Sequence, residues 1–450
     1  MAERLVVIGG DAGGMAAATQ ARRLRSDLDI VALERGTRTS YSACGIPFLV
    51  GGEVARVDDL VARTPQQLRE QHRIDVRMRH EAMAIDLDRG EVEVRDHDHG
   101  RTFRLGYDQL MLGLGATPRR PPIPGIDLPH VHGVQTLDDG ERLLEAAERG
   151  QCSNVVVVGA GYIGLEIAEA FVRRGCKVTV AERGPEVLGA LDADMGRMVS
   201  DAMRRHGVDV RCGAEVKEIT DTHVVVDGEA LRAELVVLGL GVEPNVAMPR
   251  DAGVEIGPSG AIAVDRRQHT SADGVWAAGD CSESRHLVSD RPVHIPLGTH
   301  ANKQARVAGT NLAGGYATFP GVVGTAVTKI CDTEVARTGL NEREAKQAGF
   351  RYHVARIEST TRSSYFPGTQ PITVKLLAER RSGRVLGGQI VGREGAAKRI
   401  DVIATVLHAR MDVEEMTALD LSYAPPFAPV WDPVLVAARQ AAGLVAKGET

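Results

Sequence analysis

The chain has 450 residues, of which 43% are hydrophobic and 25% charged, and its formal net charge is −6. This composition is that of an ordinary globular protein, and at about 150 residues per domain the length predicts three domains. The mild acidity gives no electrostatic reason to expect binding to nucleic acid or to anionic membranes. No apolar run approaches the roughly 20 residues of a membrane span, and no export signal precedes the first predicted strand. We therefore expect a soluble, cytoplasmic protein.

The first predicted unit is a β-α-β segment over residues 4–34. Residues 5–8 are apolar and predict a strand, an Ala-rich stretch ending at Leu24 predicts a helix, and residues 30–33 predict a second strand. Between strand and helix lies Gly9-Gly-Asp-Ala-Gly-Gly14. Asp11 stands where the middle glycine of the dinucleotide fingerprint belongs, so this turn by itself is an imperfect match.

Two later acids strengthen the prediction of an FAD site. Glu34 lies 34 − 9 = 25 positions after the first glycine, at the end of the second strand, where it can bind the adenosine ribose. Asp280 ends the apolar strand predicted at residues 275–278 and can bind the ribitol chain, unless it only forms an Asx turn. The residues that we assign to FAD are Gly9, Gly10, Ala12, Gly13, Gly14, Glu34, Arg35, Cys44, Ala116, Asp280, Gly298 and Ala301.

Cys44 stands in Ser40-Tyr-Ser-Ala-Cys-Gly-Ile-Pro47, shortly after this unit and so near the carboxyl ends of its strands, where ligands bind. Because Pro47 suits the first turn of a helix, we expect a helix N-terminus that lowers the pKa of the Cys44 thiol. The six cysteines include no C-x-x-C pair, so we expect no metal site. We expect small buried hydrophobic side chains at Cys152, Cys176, Cys212 and Cys331.

The β-α-β pattern returns over residues 154–182, this time with a complete fingerprint, Gly159-Ala-Gly-Tyr-Ile-Gly164. Its glycines let the backbone approach a pyrophosphate at the helix N-terminus. Glu182, at 182 − 159 = 23 positions on, can bind a ribose and favours NADH over NADPH, although the adjacent Arg183 leaves NADPH open. The residues that we assign to the nicotinamide cofactor are Gly159, Gly161, Tyr162, Ile163, Gly164, Glu182 and Gly241.

Two crossings rich in glycine and proline, at residues 113–125 and 239–244, divide the chain. We predict a discontinuous FAD-binding domain at residues 1–116 and 247–323, with an NAD(P)H-binding domain inserted at residues 117–246. From residue 324 to 450 the pattern changes to alternating strand candidates and one long helix, which predicts an α+β domain. The predicted fold class is α/β, with two Rossmann-like domains and this C-terminal domain.

The two fingerprints, the Gly279-Asp280 return and the offset of Cys44 together resemble the pyridine nucleotide-disulfide oxidoreductases over essentially the whole chain. The resemblance implies FAD and NADH as cofactors and a C-terminal domain that forms a homodimer. Many members carry two cysteines five positions apart, and here the second position, 44 + 5 = 49, is Leu49. The chain thus resembles the branch with a single cysteine.

Within that branch, the residues around Cys44 resemble coenzyme A-disulfide reductases, whereas NADH oxidases and peroxidases carry a histidine at the position of Ala12. The resemblance implies that Tyr365 and Tyr423 flank the cysteine; otherwise they are interface aromatics. Ala43 and Trp431 replace polar residues of some relatives, which leaves a different low-molecular-weight disulfide or a polysulfide open as substrate. The residues implied to contact coenzyme A or a similar thiol are Gln20, Arg23, Ser40 and His300.

The implied activity passes electrons from NADH through FAD to a mixed disulfide between Cys44 and a coenzyme A-like thiol, which replaces the missing second cysteine. Two alternatives stay open. One is an NADH oxidase that reduces dioxygen at the flavin while Cys44 cycles through a sulfenic acid. The other is a redox-sensing flavoprotein in which NADH binding changes the assembly state.

Overall fold

The computed structural model describes residues 3–148 and 153–448, so Cys152 lies outside the described residues. The first part of the chain forms a parallel sheet in which β1 pairs with β2 and β7, and β2 pairs with β3, while β4 to β6 form an antiparallel sheet of three strands. The predicted β-α-β unit is present with its helix ending at Leu24. The elements are β1 (Arg4–Ile8), α1 (Ala12–Leu24), β2 (Asp29–Glu34), α2 (Ile46–Gly51), α3 (Pro65–His72), β3 (Ile74–Met78), β4 (His80–Asp86), β5 (Glu91–Asp96), β6 (Arg101–Gly106) and β7 (Gln109–Leu112).

The middle of the chain forms a second parallel sheet, in the order β12, β11, β10, β16, β9. Its β10-α5-β11 unit repeats the β1-α1-β2 unit, as the second fingerprint predicts. The elements are β8 (Ala116–Pro118), β9 (Val131–Gly133), α4 (Leu137–Glu148), β10 (Asn154–Val158), α5 (Tyr162–Arg173), β11 (Lys177–Glu182), α6 (Ala193–Arg205), β12 (Asp209–Cys212), β13 (Val216–Ile219), β14 (His223–Val226), β15 (Glu229–Arg232) and β16 (Leu235–Leu238).

After the second sheet the chain returns to the first. A short strand pairs antiparallel with β8, and a later strand adds to β7 at the edge of the first sheet. The long helix that follows packs along α1. The elements are β17 (Val242–Pro244), α7 (Ala247–Asp251), β18 (Val275–Ala277), β19 (Ser284–Arg285), β20 (Pro292–Val293) and α8 (Gly298–Leu312).

The C-terminal part is an antiparallel sheet in the order β21, β22, β25, β24, β23. The central strand β25 is buried along its whole length, which its apolar sequence without alternation requires. The elements are β21 (Ala326–Ile330), β22 (Thr333–Gly339), α9 (Glu342–Gln347), β23 (Tyr352–Thr360), β24 (Pro371–Glu379), β25 (Val385–Gly392), α10 (Ile400–Ala409), α11 (Val413–Thr417) and α12 (Pro433–Ala446).

The short helix α2, which follows Cys44, packs against α4 and α5 beside the second sheet. Ile46, Leu49 and Val50 are buried in one apolar core with residues of α4 and α5. Arg174, at the end of α5, donates from Nε to the Val50 carbonyl at 2.6 Å. The position of Cys44 therefore depends on the second sheet as well as on the first. In the described parts of the chain, no helix is both long enough and apolar enough to cross a lipid bilayer.

Candidate active site

The first glycine turn is fixed by the carboxylate of Glu34. Its two oxygens accept hydrogen bonds from the amides of Gly10 at 2.8 Å and Gly36 at 2.6 Å. A Cβ on Gly10 would lie 2.9 Å from the Glu34 side chain, and Gly9 has a φ of +109°. Glycine is therefore required at both positions by close approach and by backbone conformation.

Three segments converge beside this turn. A Cβ on Gly13 would lie 2.9 Å from the Ala278 carbonyl, and a Cβ on Gly279 would lie 3.4 Å from the Ala301 side chain. The N-termini of α1 and α8 therefore lie on either side of the Gly279-Asp280 turn. Burial raises the pKa of Asp280, and the charge of His294 opposes that shift. Helix N-termini favour negative charge, so this convergence suits the phosphates and ring of a flavin dinucleotide.

The loop that carries Cys44 is braced on both sides. Ser40 has a left-handed φ of 50°, and its amide donates to the Gly10 carbonyl at 3.0 Å. A Cβ on Gly45 would lie 2.2 Å from Leu60, which explains why a residue without a side chain follows the cysteine. The Asp11 carboxylate accepts a hydrogen bond from the Tyr41 amide at 3.2 Å, and so joins the glycine turn to the cysteine loop.

Cys44 is exposed and lies in a 3-10 turn that leads directly into α2, with Pro47 in the first turn of that helix. The predicted helix start is thus confirmed, but the predicted lowering of the thiol pKa is wrong for this chain. The residue as a whole is exposed, but the protein around its sulfur partly desolvates the thiol and so raises the pKa of Cys44, and the carboxylates of Glu166 and Asp280 raise it further. This desolvation and the negative charges act against the effect of a helix of only six residues.

The second glycine turn repeats the geometry of the first. Glu182 accepts hydrogen bonds from the amides of Ala160 at 2.7 Å and Gly184 at 2.6 Å. Gly159 has a φ of +96°, and a Cβ on Gly164 would lie 2.2 Å from the Gly159 carbonyl. In both turns the carboxylate accepts two amide protons and keeps lone pairs for further donors, such as ribose hydroxyls.

Tyr162 begins α5 directly after this turn. Its hydroxyl is buried and has no hydrogen-bond partner among the residues that the structure describes. Burial raises the pKa of Tyr162. An orphaned hydroxyl beside a glycine turn is the kind of group that a bound nucleotide can satisfy. The turn, Glu182 and Tyr162 therefore fit a second dinucleotide, just as Glu34, Asp280 and the two helix N-termini fit FAD.

The remaining residues that we assign to the two nucleotides lie at the ends of strands or at the starts of helices, with one in an open turn. Arg35 is exposed at the end of β2, Ala116 is buried in β8, and Gly298 is the exposed first residue of α8. Gly161 caps the N-terminus of α5, Ile163 is half-buried in its first turn, and Gly241 has a φ of +78° in open space. Ala12 begins α1, and Gly14 approaches the Gly9 carbonyl too closely for any side chain.

The residues predicted to contact a thiol substrate lie on different elements: Gln20 and Arg23 are on α1, and His300 is on α8. His300 lies in the first turn of α8, where its Nδ1 is 3.1 Å from the Ile295 carbonyl and burial lowers its pKa. Gln20 donates to Thr310 of α8 at 3.1 Å. Arg23 lies one turn further along α1 and is exposed. An exposed guanidinium can bind phosphate groups through paired hydrogen bonds.

Tyr365 and Tyr423 lie in two adjoining loops of the C-terminal part, where Tyr365 is 74% exposed and Tyr423 is 47% exposed. Arg399 joins these loops, since its Nη2 donates to the carbonyls of Thr361 at 2.8 Å and Phe427 at 2.7 Å. Neither tyrosine contacts Cys44 within one chain in the described residues. An exposed aromatic surface of this kind is typical of a subunit interface.

Sequence reasoning missed two charged groups at the site. Asp11 departs from the glycine of the fingerprint, yet burial and the charges of Glu34 and Asp280 raise its pKa to about 6. Glu166, on α5, accepts from Thr328 at 2.6 Å and raises the pKa of Cys44. A local signal existed for Asp11, which caps α1. None existed for Glu166, because its effect depends on how α5 packs against α2.

The described geometry can be compared with known proteins. A family model described as pyridine nucleotide-disulphide oxidoreductase matches residues 3–305, and the model of that family's dimerisation domain matches residues 325–433. The NAD(P)H sulfur oxidoreductase (CoA-dependent) of Pyrococcus abyssi is 38% identical over 97% of each chain. The NADH oxidase of Methanocaldococcus jannaschii is 34% identical over 97% of this chain and 98% of that protein.

Among solved structures, the NAD-dependent persulfide reductase from A. fulgidus superposes with a TM-score of 0.95 at 39% identity, over 98% of this chain and 83% of that one. This similarity confirms the predicted fold of two dinucleotide-binding units and a C-terminal dimerisation domain. Since the family models cover most of the chain and the relatives align along nearly all of it, the protein belongs to the pyridine nucleotide-disulphide oxidoreductase family.

Proposed function

We propose that the chain is an FAD-dependent NAD(P)H:disulfide reductase that reduces coenzyme A disulfide, or a related low-molecular-weight disulfide or polysulfide, through a mixed disulfide at Cys44. One observation carries this proposal. Cys44 is exposed beside the first glycine turn, whereas Leu49, which is 1% exposed, fills the place of the second cysteine of dithiol relatives. In this proposal a thiol from solution serves as the partner of Cys44.

The sheets support the domain assignment made from the sequence. In this proposal residues 1–116 and 247–323 bind FAD, residues 117–246 bind NAD(P)H, and residues 324–450 form the dimer. Strand β18 adds to β7 of the first sheet, and β8 pairs with β17 at the crossing between the first two units. These pairings are expected if the nicotinamide domain is inserted between two segments of the FAD-binding domain.

The chain's own part in the reaction is thiol chemistry. Bound FAD would supply two electrons taken from the nicotinamide. The Cys44 thiolate attacks one sulfur of the substrate disulfide, a new S–S bond to Cys44 forms, and the other half leaves as a thiolate that takes up a proton. Two electrons and a proton then cleave the Cys44 mixed disulfide to a thiolate and a second free thiol. The sum is one NADH oxidised and one disulfide reduced to two thiols.

Acidic groups around Cys44 change the relative stability of its thiolate and of its mixed disulfide. Desolvation of the thiol, together with the charges of Glu166 and Asp280, raises the pKa of Cys44 and so disfavours a free thiolate relative to a neutral mixed disulfide. We propose that in the dimer Tyr365 and Tyr423 of the partner chain donate hydrogen bonds to the departing sulfur. Their exposure on the C-terminal part leaves both phenols available for that role.

The names of the relatives support the substrate class. The Pyrococcus abyssi relative is named for sulfur and for dependence on coenzyme A, and the solved structure for persulfide. The Methanocaldococcus jannaschii relative is named an NADH oxidase, which supports reduction of dioxygen as the second candidate activity. We also place the protein in the cytoplasm, where a reducing environment keeps a lone thiol active.

The test is anaerobic turnover with NADH and coenzyme A disulfide, followed by thiol release. We expect two thiols per NADH for the wild-type protein, no turnover for Cys44→Ser, and normal turnover for Cys331→Ser as the control, because Cys331 lies between β21 and β22 of the C-terminal sheet and outside both glycine turns. Full disulfide turnover in Cys44→Ser would refute the proposal. In a parallel assay in air, oxygen uptake equal to NADH consumption and unaffected by disulfides would favour the oxidase.

A further inference from the structure

A buried lysine outside the site described above joins the second sheet to the dimerisation domain. Lys375, in the middle of β24, has a side chain that is 3% exposed. Its Nζ lies 2.7 Å from Asp194, 2.6 Å from Glu342 and 3.1 Å from Asp192. Burial alone would lower the pKa of this ammonium, but its bonds to the carboxylates outweigh burial and raise it.

The acids belong to different parts of the chain. Asp192 caps α6 and Asp194 lies in its first turn, whereas Glu342 begins α9 of the dimerisation domain. Asp192 is further held by Gln389 of β25, which donates to its carboxylate at 2.6 Å and accepts from its amide at 2.9 Å. The Glu342 amide also donates to Asp192 at 3.0 Å. Lys375 is therefore the buried cation shared by carboxylates from both parts of the chain, whereas Arg356 contacts only Asp194 among them, at 3.4 Å.

The segment that ends at this point begins at the second glycine turn. We call residues 183–192 the nucleotide loop, since it follows Glu182. At its start the Gly184 amide binds Glu182, and midway the Leu188 amide donates to the Ala160 carbonyl of the glycine turn at 2.8 Å. At its end the Ala190 carbonyl accepts from Arg337 at 2.9 Å. The loop thus spans from the dinucleotide turn to the dimerisation domain.

We propose that Lys375 is a positioning residue for the nicotinamide dinucleotide, because it holds the end of the nucleotide loop against the dimerisation domain and so keeps Ala160 and Glu182 in place. The inference rests on the proposed function of the second glycine turn. Without the ammonium, only Arg356 among the residues that the structure describes, with its Nε 3.4 Å from Asp194, remains to balance three carboxylates whose oxygens lie within 4.8 Å of one another, so they repel and the loop moves away.

The first test measures nucleotide affinity directly. In Lys375→Ala, the equilibrium dissociation constant for NADH, titrated anaerobically, should rise about tenfold, as expected when a buried charge network loses its counter-charge. FAD content should not change, because Lys375 lies far from the first glycine turn in the fold. Hydrogen exchange of the peptide 183–192 should be faster than in the wild type. Lys398→Ala, whose side chain is 81% exposed, is the control and should match the wild type.

A second test separates charge from packing. Calcium prefers clusters of carboxylate oxygens, so millimolar CaCl₂ should restore NADH affinity in Lys375→Ala and leave the wild type unchanged. Adding Glu342→Gln to Lys375→Ala should abolish the rescue. Restoration in the double variant, or none in the single variant, would overturn the claim that charge neutralisation positions the loop.

Should Lys375→Ala fail to fold, Asp192→Asn keeps an oxygen for the Glu342 amide, while an uncharged NH₂ group replaces the oxygen that faces Lys375 and the Gln389 amide. It should raise the NADH dissociation constant about threefold. An unchanged dissociation constant and unchanged exchange of the nucleotide loop would overturn the inference. Failure of the proposed function is distinct, since it would appear as a wild-type flavin that NADH does not reduce.

Discussion

Cys44 and Leu49 lie five positions apart in one continuous helical segment, with Cys44 exposed and Leu49 1% exposed. Leu49 belongs to the core that α2 shares with α4 and α5. The position that holds a redox cysteine in dithiol relatives is therefore used here to fix the helix that follows Cys44.

Leu49→Ala should lower the free energy of unfolding by about 2 to 5 kcal/mol, because a fully buried leucine leaves a cavity. The matched control is Phe48→Ala on the same helix, whose side chain is 41% exposed and whose loss should cost much less. Chemical denaturation of the FAD-loaded proteins measures both values. Equal losses in the two variants would contradict the role of Leu49 as the anchor of α2.

Glu166→Gln should lower the pKa of Cys44, since among the carboxylates Glu166 raises that pKa most, while the amide oxygen can still accept from Thr328. The pH profile of Cys44 alkylation in the reduced protein should then shift to lower pH. Glu169→Gln is the control, because Glu169 binds the Cys331 amide instead. A profile that moves equally in both variants would show that the shift does not come from Glu166.

Glu34→Gln and Glu182→Gln should affect different cofactors. Each carboxylate accepts two amide protons, and a glutamine has an NH₂ group that opposes one of those donors. We expect Glu34→Gln to lower FAD content, and Glu182→Gln to raise the NADH dissociation constant about tenfold with FAD retained. Each variant is the control for the other, and loss of both cofactors in either one would contradict the assignment.

These fingerprint contacts show what the sequence could predict. Glu34 and Glu182 each end the second strand of a β-α-β unit and accept from one amide of that unit's glycine turn and one amide two positions after the acid. A local pattern of strand, glycines, helix and acid therefore contains the whole geometry. The charge around Cys44 could not be predicted in this way. Glu166 lies more than a hundred positions from Cys44 in the sequence, and only the packing of α5 on α2 brings it near.

In the dimerisation domain, too, the secondary structure could be predicted from the sequence but the charge cluster could not. Its strands and the helix ending at Ala409 follow from hydrophobic pattern, and the structure confirms them. The ion cluster at Lys375 has no sequence signature, because its partners come from α6 and α9. Lysine in a strand of alternating or apolar residues is more often read as an exposed position, whereas here its side chain is 3% exposed.

His286 should contribute to acid sensitivity. Its side chain is buried, and burial lowers its pKa from 6.5 to about 4. The unfolded chain therefore takes up a proton below pH 6.5 that the folded chain refuses until about pH 4, and stability falls across that window. In His286→Gln, the loss of unfolding free energy between about pH 7 and pH 4.5 should be smaller by about 2 to 3 kcal/mol. An identical loss in variant and wild type would contradict the assignment.

If the partner chain supplies the tyrosines, two inactive variants should complement each other. Cys44→Ser retains Tyr365 and Tyr423, and the double variant Tyr365→Phe, Tyr423→Phe retains Cys44. We expect mixed dimers to regain disulfide turnover that neither homodimer shows, since one of their two sites is then complete. Mixtures no more active than the separate variants would place the tyrosines outside the site.

The most direct test of the account is intact-mass and peptide mass spectrometry of the unreduced protein after one cycle of NADH reduction and reoxidation by coenzyme A disulfide. The account predicts one coenzyme A adduct per chain, on the peptide that contains Cys44, released by excess NADH and absent in Cys44→Ser. A Cys44 that carries only a sulfenic acid, or that remains a free thiol during steady disulfide turnover, would contradict it.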